Sequence, residues 1–205
     1  MKIAIIGSGN VGSALAQSLI KAKHTVLIGA KLPFSERSVK LATIIGEDRF
    51  SSVTNAAKQC EVIIITTPPD SVPSIIPLLG DTTGKIIVDA TNSIRSKPEG
   101  YATVFHAIRA MTNSSAVVKC FNTTGFENML NPIYHGEGID MFCAGNDKNA
   151  KQAVQQLCTD MGFANCYDFG GDDKVELLEK LALSWINLAI MQGHGRNLAI
   201  KILKR

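Results

Sequence analysis

The sequence predicts an α/β fold: a doubly wound, mostly parallel sheet with a short helical appendage at the C-terminus. Short runs rich in isoleucine and valine are continuous rather than alternating, which is typical of strands covered on both faces. Helical patterns lie between these runs, which favours a doubly wound topology. The predicted strands are Lys2–Ile6, Thr25–Gly29, Val62–Thr66, Lys85–Asp89, Ala116–Phe121, Met141–Ala144 and Asn165–Asp168.

Two helices are predicted from apolar residues that recur at helical spacing. One lies between the first two strands, and the other covers Asn149–Met161. Each presents one apolar stripe, which indicates a helix packed against a sheet. The stripes are Val11, Ala14, Leu15, Leu19 and Ala22 in the first helix and Ala150, Ala153, Val154, Leu157 and Met161 in the second.

From about Asp172 onward the pattern is helical only. Asp173–Glu176 matches a capping box, a long helix is predicted after it, and Asn197–Leu203 resumes a helical pattern. The stretch Leu181–Met191 is apolar on nearly every side, so it must be buried, and a second subunit is the simplest cover. The sequence therefore predicts a homodimer; burial between the sheet and the chain's own tail, residues 193–205, is the alternative.

Composition and charge exclude several classes of protein. The net charge of +3 over 205 residues predicts neither a nucleic-acid binder nor a membrane-surface protein, and the longest apolar run is too short to cross a bilayer. The chain opens with Met1 and Lys2 and runs directly into a strand, so we recognise no secretory signal and expect a cytoplasmic protein. The odd number of cysteines, without a C-x-x-C pair or a Cys/His set at ligand spacing, predicts buried reduced thiols and no metal site. The cysteines are Cys60, Cys120, Cys143, Cys158 and Cys166.

A G-x-G-x-x-G motif stands directly after the first strand and opens the first helix. In that context the first glycine permits a tight turn, the second lets the backbone approach a pyrophosphate, and the third lets the helix pack close to the strand. Backbone N–H groups and the helix dipole then hold the anion. The motif predicts a Rossmann-type dinucleotide-binding domain, assigned to residues 1–171, with residues 172–205 as a C-terminal helical extension. A glycine-rich turn without a ligand is the alternative. The motif residues are Gly7, Ser8, Gly9, Asn10, Val11 and Gly12.

The end of the second strand favours NADP(H) over NAD(H). NAD enzymes usually carry Asp or Glu about 20 residues after the glycine motif, where it binds the ribose 2′-OH. Here no acidic residue precedes Glu36. Lys31 stands where a 2′-phosphate would lie, and a cation without a carboxylate favours that phosphate. Further candidates for the phosphate site are Ala30, Ser35 and Arg37, and the alternative is that Lys31 is a solvated loop lysine.

Small polar residues follow the other strands at the sheet edge where ligands bind in open α/β folds. Thr66, Thr67 and Pro68 line the expected path to the nicotinamide, and Asn92 and Asn122 are expected to face the reacting rings. Such residues also cap loops routinely. Loop capping is the favoured role for Asp89 and stays open for the two asparagines. No catalytic residue is assigned, because in hydride transfer between two cofactors the protein mainly positions the cofactors and excludes water.

Six segments follow one another along the chain in a characteristic order: 2–12, Gly29–Lys31, Val88–Asn92, Val118–Thr123, Met161–Phe163 and Gly195–Ala199. They resemble those of the NADP oxidoreductases that depend on a deazaflavin coenzyme, and of the related cytosolic domain of six-transmembrane ferric reductases. The resemblance implies hydride exchange between NADP(H) and a deazaflavin or flavin, and an acceptor pocket near the C-terminal helix of a dimer. In that family the loop after the second strand typically reads Gly-Ser-Arg and binds the 2′-phosphate, whereas here it lacks the hydroxyl and the guanidinium fork, which weakens the NADP preference.

The function favoured by the sequence is an NADP-dependent oxidoreductase that passes hydride to a small flavin or deazaflavin acceptor. One alternative is a hydroxy-acid dehydrogenase or an imine reductase, but those enzymes add a large helical substrate domain, and only about thirty residues follow Asp172 here. The other alternative is a redox sensor that binds NADP(H) without turnover. The sequence does not separate the sensor from the enzyme.

Overall fold

The computed structural model describes residues 1–31 and 35–205. Within them, one eight-stranded sheet forms the centre of the molecule, and its neighbouring strands run parallel except β6 and β9. The spatial order of the strands is β10-β9-β6-β5-β4-β1-β2-β3, and β7 pairs with β8 in a separate hairpin. The strands are β1 Lys2–Ile6, β2 Thr25–Gly29, β3 Phe50–Ser51, β4 Val62–Ile65, β5 Ile86–Asp89, β6 Ala116–Cys120, β7 Ile133–Tyr134, β8 Glu137–Gly138, β9 Asp140–Ala144 and β10 Asn165–Asp168.

Helices cover both faces of the sheet, and each face has its own apolar cluster. No helix in the described residues is long and apolar enough to cross a membrane. The chain leaves β1 toward β2 on one side and later returns to β4 on the other, which makes the carboxyl end of β1 the switch point where ligands bind in such sheets. The helices are α1 Asn10–Lys21, α2 Glu36–Ile45, α3 Val53–Gln59, α4 Val72–Ile75, α5 Val104–Met111, α6 Phe126–Leu130, α7 Lys148–Asp160 and α8 Val175–Ile186.

The predicted fold class is confirmed. Three of the seven predicted strands, β1, β2 and β10, have the predicted bounds, and the other four differ by one residue at one end. After β4, both the N–H and the hydroxyl of Thr66 donate to the Ile6 carbonyl, at 3.0 and 2.9 Å. Phe121 has a φ of +62°, a left-handed conformation that ends β6. The short strand β3 and the β7–β8 hairpin were not predicted, because two-residue strands carry no periodic signal.

The predicted capping box at Asp173–Glu176 is wrong. A 3₁₀ turn covers Asp172–Lys174, α8 begins at Val175, and no side chain in the described residues caps it. The Asp173 carboxylate pairs with the adjacent Lys174 ammonium instead. The acidic side chain that the capping box required thus forms an exposed ion pair and does not cap the helix.

The helix predicted at Asn197–Leu203 is also wrong, because the tail is irregular. Its backbone groups bond to the body of the protein rather than to each other: the indole of Trp185 donates to the Leu198 carbonyl at 2.6 Å, and the Ile202 N–H donates to the Asp140 carboxylate at 2.7 Å. Before the tail, α8 continues as a π-helical turn over Asn187–Met191. Tertiary hydrogen bonds therefore override a weak helical pattern in the tail.

Candidate active site

The glycine motif forms the turn between β1 and α1, and two of its glycines are required by packing. Gly7 has a φ of +118°, and an added Cβ there would lie 2.8 Å from the Thr66 hydroxyl. A Cβ on Gly12 would lie 2.1 Å from the Gly7 carbonyl oxygen, so only glycine lets α1 approach the turn. Gly9 differs: its backbone is extended, and a Cβ there would meet no described atom within 4 Å. Gly9 therefore borders open space at the N-terminus of α1, where the first amides have no partner inside the helix.

A cleft of about 340 Å³ opens beside this turn. Ser8, Gly9 and Asn10 line it on one side, and Arg37 and Lys40 of α2 line it on the other. The cleft thus places two cations beside the N-terminus of a helix, an arrangement that suits an anionic ligand. The sequence analysis named Arg37 but missed Lys40, although three residues separate them and residues at that spacing share a helix face.

The remaining candidates for the 2′-phosphate lie near the end of β2. Ala30 is buried and donates its N–H to the Ser51 carbonyl, whereas Lys31 is exposed. Ser35 caps α2 by accepting from the Ser38 N–H. The hydroxyls of Ser8, Ser38 and Ser35 form a chain with oxygen separations of 2.8 and 2.9 Å, which ties the glycine turn to α2.

The candidates at the end of β4 differ from one another in their contacts. Thr66 donates to the backbone of Ile6 and Gly7, so it supports the glycine turn. The Thr67 hydroxyl oxygen is buried without a hydrogen-bond partner in the described residues. Pro68 is exposed, and its carbonyl accepts from Ser71. Thr67 is thus the member of this group with unused hydrogen-bonding capacity.

A second cleft, of about 440 Å³, lies at the carboxyl ends of β5 and β6 and contains both predicted asparagines. The Asn92 amide donates to the Asn122 carbonyl at 2.8 Å, and the Asn122 amide donates to the Asn92 side-chain oxygen at 3.0 Å. The side-chain oxygen of Asn122 is buried and has no partner in the described part of the chain. Each asparagine thus holds the other in place at the edge of the cleft, and the Asn122 oxygen lies behind this pair rather than at the cleft surface.

Val11 joins the two parts of the site, since it belongs to the glycine turn and lines the second cleft. Trp185 of α8 and Phe126 of α6 give this cleft aromatic walls, and Arg95 and Arg196 give it positive charge. The Arg196 guanidinium lies 5.0 Å from the Phe126 ring centre and 5.6 Å from that of Trp185, and it pairs with Glu127. These contacts fix the guanidinium at the cleft wall.

A buried ion cluster links the elements that form the second cleft. The Lys119 ammonium lies 2.8 Å from Asp89 and 2.8 Å from Glu179 of α8, and it donates to the Thr91 carbonyl at 2.7 Å. Asp89 also caps its loop, as expected, by accepting from the N–H and the hydroxyl of Thr91. The ends of β5 and β6 are thereby tied to α8. Sequence analysis missed this cluster, although a lysine inside an apolar strand already signals a buried partner.

Comparisons with known proteins agree with the fold and with the sequence motifs. The model of the family NADP oxidoreductase coenzyme F420-dependent matches residues 2–93. The F420-dependent NADP reductase of Methanocaldococcus jannaschii is 26% identical over 213 residues, which cover 93% of each chain. Metalloreductase STEAP3 of Rattus norvegicus is 26% identical over 79% of this chain, which spans about a third (32%) of its length. A crystal structure of a proposed F420-dependent NADP reductase from Arthrobacter sp. FB24 superposes with a TM-score of 0.86 at 25% identity over the whole of both chains. The resemblance drawn from the sequence motifs is therefore confirmed.

Proposed function

We propose that the chain is an NADP-dependent oxidoreductase that transfers hydride between the nicotinamide and a flavin or deazaflavin acceptor. The observation that carries the proposal is the continuity of the glycine turn with the second cleft, which Val11, Asn92 and Asn122 all line. The named relatives support it, since F420-dependent NADP reductases are among them. The acceptor class is our inference from the aromatic walls and the cationic groups of the cleft.

The chain's own residues would position both partners. The amides of the glycine turn and the N-terminus of α1 would hold the pyrophosphate, and Arg37, Lys40 and Lys31 would neutralise the 2′-phosphate. Asn92 and Asn122 would orient the carboxamide of the nicotinamide, which supplies or takes the hydride. Trp185 and Phe126 would cover the reacting rings and exclude water, so that proximity supplies most of the rate. The division of the chain at residues 171 and 172 stays a proposal, with α8 closing the acceptor side.

Turnover with free acceptors separates the enzyme from the redox sensor. We expect steady loss of the NADPH absorbance when the protein is mixed with NADPH and FMN, FAD or the deazaflavin coenzyme, each in turn. Gly9→Val, prepared in the same way, is the blank for contaminating reductases. Tight NADPH binding without oxidation by any of these acceptors would contradict the proposal and favour the sensor.

Lys31→Glu is expected to weaken NADPH binding by about tenfold or more and to leave NADH binding unchanged. The reason is that the substitution places like charge beside the 2′-phosphate, and discrimination between two ligands follows from such a repulsive contact. Calorimetric titration of both nucleotides measures the effect. Lys148→Glu makes the same charge change at the start of α7, which packs against β9 and β10 at the opposite end of the sheet from β2, and it should alter neither affinity. Equal affinity of the unsubstituted protein for NADPH and NADH would overturn the cofactor assignment.

The predicted homodimer remains a proposal, and the C-terminal helix supports it. α8 and its π-helical turn bury Leu178, Ala182 and Ala189 within the chain, whereas Leu188 is 44% and Met191 62% exposed. The chain's own tail therefore leaves an apolar strip uncovered, and a two-fold contact would bury it.

We expect light scattering to give the mass of a dimer at micromolar concentration, and Leu188→Lys to shift it to that of a monomer. Leu78→Lys is the matched control, because Leu78 is 40% exposed and lies after α4 rather than on the strip. A monomeric mass that stays constant on concentration would refute the dimer.

A further inference from the structure

Three cysteines that are distant in the sequence meet on one face of the sheet. Cys120 ends β6, Cys158 lies on α7, and Cys166 lies on β10. Their sulfur atoms all lie within 4.8 Å of one another, and the sulfurs of Cys120 and Cys158 are 3.8 Å apart. All are free thiols. The fold thus creates a thiol cluster, although the spacing of the cysteines in the sequence predicted no metal site.

The dimensions of this cluster match those of a metal site. Three sulfurs placed about 2.3 Å from a central ion in one plane are about 4 Å apart, and a tetrahedral arrangement brings them slightly closer. Thiolates select soft ions, chiefly Zn(II) and Cu(I). A fourth sulfur is near: Cys143 on β9 is the direct neighbour of Cys120 across the β6–β9 pair.

Burial alone does not require such a cluster. Cys60 is equally buried, but it lies in the apolar cluster on the other face of the sheet, apart from the other cysteines. Cys166 lies on the edge strand β10 and is only half-buried as a residue, so it is the member of the cluster nearest to the surface.

We infer that Cys120, Cys158 and Cys166 form a thiolate site for one Zn(II) or Cu(I) ion, which joins α7 to β6 and β10. The thiolate is the form that binds the ion, so each metal–sulfur bond that forms releases the proton of that thiol to solvent. Since β6 leads directly to Phe121 and Asn122, the ion would brace the strand that ends in the second cleft.

The test uses the reduced, metal-free full chain. Zn(II) and, without oxygen, Cu(I) are each titrated against a chromophoric chelator. We expect the chain to bind one equivalent of at least one of the two ions. Cys166→Ser and Cys158→Ala should each weaken the affinity for that ion by about 100-fold, since each ligand supplies a large share of the affinity. Cys60→Ala is the matched control and should bind as the unsubstituted chain does. The bound ion should also raise the thermal midpoint of the unsubstituted chain and of Cys60→Ala, but not that of Cys166→Ser.

The two ions leave different signatures. Zn(II) binding that is lost in Cys143→Ala indicates a four-sulfur site, whereas Cu(I) binding that persists in Cys143→Ala indicates a three-sulfur site. Failure of both ions to compete with the chelator overturns the inference, and so does binding that survives Cys166→Ser. Three rather than five titratable thiols in the denatured, untreated protein would reveal a disulfide and overturn it as well. Should Cys158→Ala not fold, the comparison of Cys166→Ser with Cys60→Ala decides, because Cys166 is only half-buried.

Discussion

Gly9→Val is expected to abolish NADPH binding, with an affinity loss of about 100-fold or more, while the protein stays folded. A side chain at this position meets no described atom within 4 Å, and the backbone there is extended, which any residue can adopt. The valine would instead occupy the space that a pyrophosphate needs at the N-terminus of α1. Calorimetric titration measures the loss, and an unchanged thermal midpoint shows that it is not due to unfolding.

Gly12→Ala is the contrasting variant. Its Cβ would lie 2.1 Å from the Gly7 carbonyl, so α1 must shift and the thermal midpoint must fall even without ligand. The two variants of one motif are thus expected to differ in their defect: Gly9→Val loses NADPH binding, whereas Gly12→Ala loses stability. Full-strength NADPH binding by Gly9→Val would mean that the phosphate site is elsewhere.

The sequence predicted the parts of the fold that depend on local pattern. β1, the glycine turn and α1 follow each other without a gap, and each constrains its neighbour, so the position of the turn follows from the amino-acid order alone. Asn92 and Asn122 were placed in one cleft for a similar reason: the carboxyl ends of parallel strands meet at one edge. Their mutual hydrogen bonds were not predictable, since the two residues are thirty positions apart and the sequence does not give the direction of either side chain.

Three of the features that sequence analysis missed are products of long-range contact. The thiol cluster brings together Cys120, Cys158 and Cys166, which a search for short ligand spacings could not find. The tail lost its predicted helix because Trp185 and Asp140 offered its backbone better partners. Lys119 joins residues 30 and 60 positions away in the chain. Only the composition of its strand, a charge within an apolar run, marked the position as unusual.

Lys119→Met is expected to lower the free energy of unfolding by about 3–5 kcal/mol, because removing one partner of a buried ion cluster leaves uncompensated charge. The side chains of Lys119 and Asp89 are fully buried, and that of Glu179 is 9% exposed. Methionine keeps the apolar volume but donates neither to the two carboxylates nor to the Thr91 carbonyl. For a domain of ordinary stability this loss is a large share of the whole free energy of unfolding. Urea denaturation measures it as a lower midpoint with an unchanged slope.

Two further variants make the interpretation specific to the cluster. Asp89→Asn and Glu179→Gln, added to Lys119→Met, remove the leftover charges and should restore part of the loss, because neutral amides are cheaper to bury than unpaired carboxylates. Lys151→Met should cost much less, since its partner Asp168 is 46% exposed to water. An unchanged urea midpoint in Lys119→Met would contradict the role assigned to the cluster.

Because Lys119 ties the loop of Asn92 and the strand of Asn122 to α8, the folded fraction of Lys119→Met should also bind NADPH more weakly, which a purely local packing defect would not cause.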